Sequence, residues 1–324
     1  MNSDGQFDRF ASTHQNVFGN VHGKSAFFPF HRRFVLEFEN LGRQIDANFT
    51  IPYWDTTREY RNPASSPILQ EDTLGGNGEG PGSCLTTGIQ ANWEMGFPSQ
   101  HCLRRRFTMQ PWAPPELISS FIQRDRVLAD FREHIEFSIH GSAHIGLGGD
   151  AATPYAPTDF FFQMHHANLD RLWWVWQNAQ GDIFNYNGPG QHGQEATLDD
   201  QIPQDDAVDF GNAPVRSVMV LGYNGVCYAY DSAPPPPTRY PSDAPDRLSN
   251  LGSHWQPLES EQTVRVLHTP SSPPTKRRKI AYPGRLSHAW IKMHGFDPIR
   301  VEEFHREMCH LVALLNNSTY VSPY

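Results

Sequence analysis

The sequence predicts a mainly α-helical protein, a bundle with long irregular excursions and a few short β-strands. Stretches of helical period, and the Gly- and Pro-rich segments between them, carry that prediction. Along residues 30–45, Phe30, Phe34, Phe38, Leu41 and Ile45 fall on one face, and Pro29 sits where a first helical turn tolerates it. Residues 56–114 are rich in Gly, Pro, Asn and Ser and read as loops. A second helical stretch begins near Pro115 and runs, with a break, to about Ala143. A third runs from about His165 to Gln177, with Leu169, Leu172, Trp173 and Trp176 as its apolar face. Residues 180–275 are loop-rich, with Val215–Val220 and Gly225–Tyr230 as the best strand candidates. The run from Ala233 to Pro237 can be neither helix nor central strand. Pro298 to Leu315 reads as a final helix. The chain shows no internal repeat, and on length alone one large domain or two small ones are both possible.

A chain of 324 residues can bury a sizeable core. Its formal net charge of −9 argues against a nucleic-acid surface and against a polybasic membrane anchor. The cluster Lys276-Arg277-Arg278-Lys279 is short and reads as a solvated loop. No apolar run is long enough to span a membrane. Met1-Asn2-Ser3-Asp4-Gly5 leads straight into polar sequence, without a signal peptide. Other features point to secretion. The four cysteines are even in number, and Cys84 and Cys102 flank a Gly- and Asn-rich loop that suits a disulfide. Cys227 and Cys309 either pair or stay thiols. Asn48-Phe49-Thr50, Asn316-Asn317-Ser318 and Asn317-Ser318-Thr319 are glycosylation sequons.

The placement of the sixteen histidines matters more than their number. His14, His22 and His31 form one group, with Phe27-Phe28-Pro29-Phe30 leading into His31 at the opening of a helix. His140 and His144 stand four apart, on one helical face. His165 and His166 are adjacent and open the Trp-rich helix. A lone i,i+4 pair is commonly a core or surface pair. Three groups that each open or line a helix among aromatic residues suit a metal site built from facing helices. A di-iron bundle needs Glu-x-x-His motifs, and the nearby carboxylates lack that spacing. An all-imidazole site suits Cu, Zn, Fe or Ni, and two His triplets could hold two zinc ions. The residue types alone do not choose.

The segment His22-Gly23-Lys24-Ser25-Ala26-Phe27-Phe28-Pro29-Phe30-His31-Arg32 resembles the first copper-site motif of the tyrosinase and catechol oxidase family. His140-Gly141-Ser142-Ala143-His144, the pair Gly148-Gly149, and Asp159 through Trp173 resemble the second. Ile51-Pro52-Tyr53-Trp54-Asp55 and Tyr320-Val321-Ser322-Pro323 extend the resemblance over nearly the whole chain, most like the short fungal polyphenol oxidases. It implies a single domain over residues 1–324, with a four-helix-bundle core holding a dicopper centre. His14, His22 and His31 would bind one copper; His140, His144 and His166 would bind the other. His166 is preferred to His165 because Asp170 follows it by one turn, the relation the family's third ligand has to an aspartate. His165 and Asp170 would then lie just outside the ligands, Gly141 and Ile145 beside the substrate. A glutamate at the position of Glu136 orients a water in related enzymes, whereas the bland reading is a helix carboxylate.

The implied reaction uses O2 as co-substrate and converts o-diphenols, with o-aminophenols and monophenols as further classes, to o-quinones. Strong monophenol hydroxylases often carry Asn where this chain has Gly141, which favours diphenol oxidation. The competing readings are a hemocyanin-like O2 carrier, a monophenol-hydroxylating tyrosinase, a metal-free homologue and a hydrolytic di-zinc site. The sequence also departs from the family. Asn20 stands where fungal members have a thioether-forming cysteine, Phe30 where a tryptophan is usual, and Phe160 where a proline is usual. Relatives carry a longer N-terminal segment with a signal peptide and a strand, so the N-terminus is expected to be incomplete, the full-length protein secreted, and the chain cytoplasmic only if its start is genuine. No C-terminal shielding domain is expected after Tyr324.

Overall fold

The computed structural model describes residues 5–234 and 278–324. The fold is helical, with its core built from aromatic faces. Helix α1 (Gln6–Val21) buries Phe7, Phe10, His14, Val17 and Val21, spaced three or four apart. It ends where His22 turns extended and Gly23 takes a φ of 69°. Helix α2 (Phe27–Arg43) carries Pro29 in its first turn and buries Phe30, Phe34 and Phe38 completely. Ile45, expected on that face, lies past the helix end and is 69% exposed.

Residues 56–114 are irregular except for one two-stranded antiparallel ribbon, β1 (Glu94–Met95) with β2 (His101–Cys102), and two single 3-10 turns. Cys84 is disulfide-bonded to Cys102 and clasps this ribbon. Cys227 and Cys309 are free thiols. Helix α3 (Pro115–Arg124) and helix α4 (Leu128–Ile135) are separated by the break foreseen, at the extended residues Asp125 and Val127. Asp125 holds that break: His134 Nδ1 donates to its carboxylate at 2.6 Å, and Trp176 Nε1 donates to its carbonyl at 2.7 Å. A π-helical turn, Glu136–His140, leads into helix α5 (Gly141–Leu147). Gly148 ends α5 at a φ of 62°, and any Cβ there would meet Arg106 O at 2.1 Å, so only glycine fits.

Helix α6 (Phe161–Gln180) is buried from Phe161 to Asn178 on every side. It begins four residues before His165, so the histidine pair lies inside the helix rather than at its opening. Phe160 N–H donates to Gln90 Oε1 at 2.7 Å, a bond that proline at this position could not make. Trp173, Trp174 and Trp176 are core residues. The strand expectations at 215–220 and 225–230 fail. Val215–Val218 is a 3-10 turn at the start of a largely buried apolar run, and Tyr223 pairs with Val226 through a single bridge. A short apolar run reads alike as buried strand or buried turn. Helix α7 (His288–Met293) has no counterpart in the sequence reading. Helix α8 (Pro298–Asn317) matches its expected span and is capped by Asp297, whose carboxylate accepts from Ile299 N–H at 2.9 Å.

Helix α2 packs on α6, α3 on α6 and α4, and α8 on α3 and the π turn. Arg32, on α2, donates from Nε to Asp170 of α6 at 2.5 Å. Arg105 grips Asp159 with Nε and Nη2 at 2.7 and 2.8 Å, both side chains fully buried. Asp159→Asn strands a buried guanidinium and is expected to cost about 3–5 kcal/mol, read from the shift in urea midpoint; a loss below about 1 kcal/mol would mean the pair is not held as described. Among the described residues no helix is long and apolar enough to cross a membrane. The proline run beyond Pro234 and residues 276–277 of the basic cluster lie outside the described residues.

Candidate metal centre

Five helical elements converge their histidines. His14 lies on the buried face of α1, His22 at its C-terminus and His31 in the second turn of α2. His140 ends the π turn that runs into α5, His144 lies on α5 and His166 on α6. Each is 4% exposed or less. They form two groups, His14 with His22 and His31, and His140 with His144 and His166, with the donor nitrogens of each group within 4.8 Å of one another.

The hydrogen bonds fix the protonation of most of these rings. His14 Nδ1 lies 2.5 Å from Pro154 O, His22 Nδ1 3.2 Å from Phe18 O, His31 Nδ1 2.7 Å from Phe27 O, and His144 Nδ1 2.6 Å from Ala151 O. A carbonyl only accepts, so each Nδ1 carries the proton. Burial holds His14 down to about 3 and His144 to about 4, and lowers His22, His31, His140 and His166 well below the ordinary 6.5. The imidazoles are therefore neutral at pH 7, and in the four anchored rings Nε2 is a bare lone pair. His14 Nε2 and His31 Nε2 stand 3.4 Å apart, as do His144 Nε2 and His166 Nε2. Between His14 and His31 no proton is left to join the two lone pairs, so they repel. A cation among them removes that repulsion, and an all-imidazole donor set suits a transition metal such as copper.

The two groups face each other. His31 stacks on His166 with centroids 3.9 Å apart, and His22 on His140 at 5.6 Å. His165 turns aside onto Phe161, at 5.3 Å, and neither of its nitrogens has a hydrogen-bond partner among the described residues. Glu136 is fully buried; its oxygens accept from Gly23 N–H at 3.0 and 3.2 Å and from Arg132. Burial raises its carboxyl, against the pull of Arg132 and Gly23. Those bonds tie the turn after His22 to the π turn before His140. Among the described residues Asp170 bonds to no histidine: it accepts from Arg32, Tyr228 OH and Tyr230 OH, the last two at 2.6 Å. Its partner Arg32 is the residue after His31 on α2. Ile145 is half-buried, with its carbonyl accepting from Thr108 Oγ1 at 2.8 Å.

The C-terminal region covers this centre, which the sequence reading missed. Trp290, on α7, stacks on His144 with centroids 5.2 Å apart, and His294 lies 5.0 Å from His22 and 3.9 Å from Trp290. His294 Nδ1 donates to Trp290 O at 3.0 Å, leaving a buried Nε2 without a hydrogen-bond partner among the described residues. The i,i+4 spacing of Trp290 and His294 was the available signal. Gly141 faces this cover: a Cβ would meet Leu286 Cδ2 at 2.6 Å and Trp290 Nε1 at 2.9 Å.

The common central domain of tyrosinase matches residues 4–179. A tyrosinase-like protein of Diaporthe leptostromiformis is 31% identical over 69% of this chain and 63% of its own length. A tyrosinase of Aspergillus flavus is 31% identical over 69% of each chain. The chain thus spans somewhat less than two thirds of the Diaporthe protein. A polyphenol oxidase of Thermothelomyces thermophila, solved as a single-residue variant, superposes with a TM-score of 0.56 over 69% of this chain and 77% of its own, at 21% identity, and shares the fold. The chain belongs to the tyrosinase family.

Proposed function

We propose that His14, His22 and His31 hold one copper ion, that His140, His144 and His166 hold a second, and that the chain uses the pair to oxidise o-diphenols to o-quinones with O2. The convergence of neutral imidazoles, with bare Nε2 atoms on rings anchored through Nδ1, is the observation that carries this reading. Copper would supply the redox couple between phenol and O2. Each diphenol gives up two electrons and two protons, and O2 takes four of each to become two waters, so two diphenols are consumed per O2. The protein fixes the ring orientations through backbone carbonyls and excludes water with Phe27, Phe161, Phe162 and Trp290. His165 takes no ligand role in this scheme, and Glu136 holds the two motifs together rather than meeting substrate.

Copper-loaded protein is expected to colour catechol solutions and to consume one O2 per two diphenols. O2 binding without any quinone would leave a carrier of oxygen and sink the oxidase reading. Gly141 favours diphenols over monophenols. Gly141→Asn is expected to raise the ratio of tyramine hydroxylation to dopamine oxidation, at a stability cost of about 1–3 kcal/mol as Trp290 and Leu286 are displaced. An unchanged ratio removes residue 141 from the account of substrate choice.

A further inference from the structure

The rings anchored through Nδ1 are held in two different ways. His22 and His31 each meet the carbonyl four positions earlier, Phe18 and Phe27, so their anchors belong to their own helices. His14 and His144 meet Pro154 and Ala151, which lie in one loop. That loop therefore orients one ring in each group of three. It contains two 3-10 turns, Gly149–Ala152 and Ala156–Thr158. Asp150, in the first turn, is 2% exposed. Its Oδ2 accepts from His101 Nε2 and from Arg104 N–H, both at 3.0 Å. Its own N–H donates to Arg104 O at 3.0 Å. Its carbonyl accepts from Thr153 N–H at 3.1 Å and from Thr153 Oγ1 at 2.7 Å, one residue before Pro154. Asp159, at the far end of the loop, is gripped by Arg105. His101, Arg104 and Arg105 all lie within three positions of Cys102, and Arg104 pairs with Cys84 through a single bridge.

We propose that Asp150 is a positioning residue for His14 and His144, through which the segment clasped by the Cys84–Cys102 disulfide sets one ring in each group. Removing its carboxylate leaves Arg104 N–H and His101 without their acceptor in a buried place, so the turn must shift to find another. Ala151 O and Pro154 O shift with it. A ring that loses its carbonyl is free to rotate and no longer presents Nε2 to the centre. His22 and His31 are spared, because a helix carries their acceptors. The consequence for copper rests on the ligand assignment proposed above, but the anchoring itself needs no metal.

The test uses the full chain, first free of metal and with isotope-labelled histidine, and reads ring N–H signals by NMR. The Nδ1–H signals of His14, His22, His31 and His144 are expected to exchange slowly with water. Asp150→Ala should lose those of His14 and His144 and keep those of His22 and His31, a pattern that a general loosening of the fold does not give. Asp150→Asn keeps a side-chain oxygen for the same donors and should keep all four signals. Copper is then titrated under conditions where circular dichroism shows each variant folded. Asp150→Ala should weaken the binding of both ions about tenfold or more, as loss of a ligand's outer partner does. Ile122→Ala, a buried cut beside the far end of α6, should leave both unchanged, since stability lost by a chain that stays folded does not enter the affinity. If Asp150→Ala does not fold, His101→Ala removes one donor, leaves the carboxylate, and should speed exchange at His14 and His144 alone. All four signals kept in Asp150→Ala, or all four affected alike in whichever variant is read, overturns the proposal, as does weakening confined to one ion. Selective loss of the two ring signals, in a chain that binds no copper even unmutated, supports the role of Asp150 and overturns the copper reading instead.

Discussion

Copper titrated into the metal-free chain is expected to saturate at two ions per chain, and His31→Ala and His144→Ala are each expected to saturate at one. Quinone formation should fall by three orders of magnitude or more in either variant, about 4 kcal/mol of lost transition-state stabilisation. The two variants separate the two groups, because His31 belongs to the triplet with His14 and His22, and His144 to that with His140 and His166. His165→Ala is the informative control. Its ring lies against Phe161 and outside both triplets, so two ions per chain should remain. Retention of two ions by His166→Ala, with loss of one by His165→Ala, would reverse the choice between the neighbours. Loss of both ions in every variant would mean that one group cannot be held without the other.

The metal-free protein is expected to unfold in mild acid. A neutral, buried imidazole refuses a proton that the unfolded chain accepts below pH 6.5, so stability falls as the pH drops below that value. The loss continues until the folded group itself protonates, near 4 for His144 and near 3 for His14, in both cases because burial penalises the charged ring. At pH 5.5 each such histidine costs about 1.4 kcal/mol. Several together offset the roughly 5–15 kcal/mol that holds a typical domain. Circular dichroism against pH should show cooperative unfolding between about pH 6 and pH 5, since the histidines share one core. Copper binds the deprotonated rings and should move the midpoint to lower pH. A metal-free chain as stable at pH 5 as at pH 7 would show that these rings are not held neutral.

Much of this fold is legible in the sequence because pattern and chemistry coincide. Phe30, Phe34 and Phe38 repeat at the helical period, and the motif that follows His22 announces both a helix and a site. Helix α1 is harder to read because Thr13 and His14 put polar atoms on its buried face, which breaks the apolar stripe that periodicity detects. The sequence places the start of α6 too late for the opposite reason: Phe161 and Phe162 belong to a helix buried all round, where no polar face marks the boundary. Spacing alone links Asp170 to His166. It is one turn away, but its carboxylate points to Arg32, Tyr228 and Tyr230, and only the packing of α2 on α6 decides that. Trp290 and His294 reach the centre from well over a hundred residues away, on and just beyond a six-residue helix too short to show a period.

Four of the six converging rings are oriented by backbone carbonyls, at Pro154, Phe18, Phe27 and Ala151. A carbonyl is present whatever the side chain. Exchange of the side chain at any of these four positions therefore leaves the acceptor in place, provided the local backbone keeps its path. An inserted or deleted residue does not, because it moves the acceptor itself. The centre should tolerate substitution drift around it far better than changes of length, and the stretch from Ala151 to Pro154 should be where a single-residue deletion does most harm.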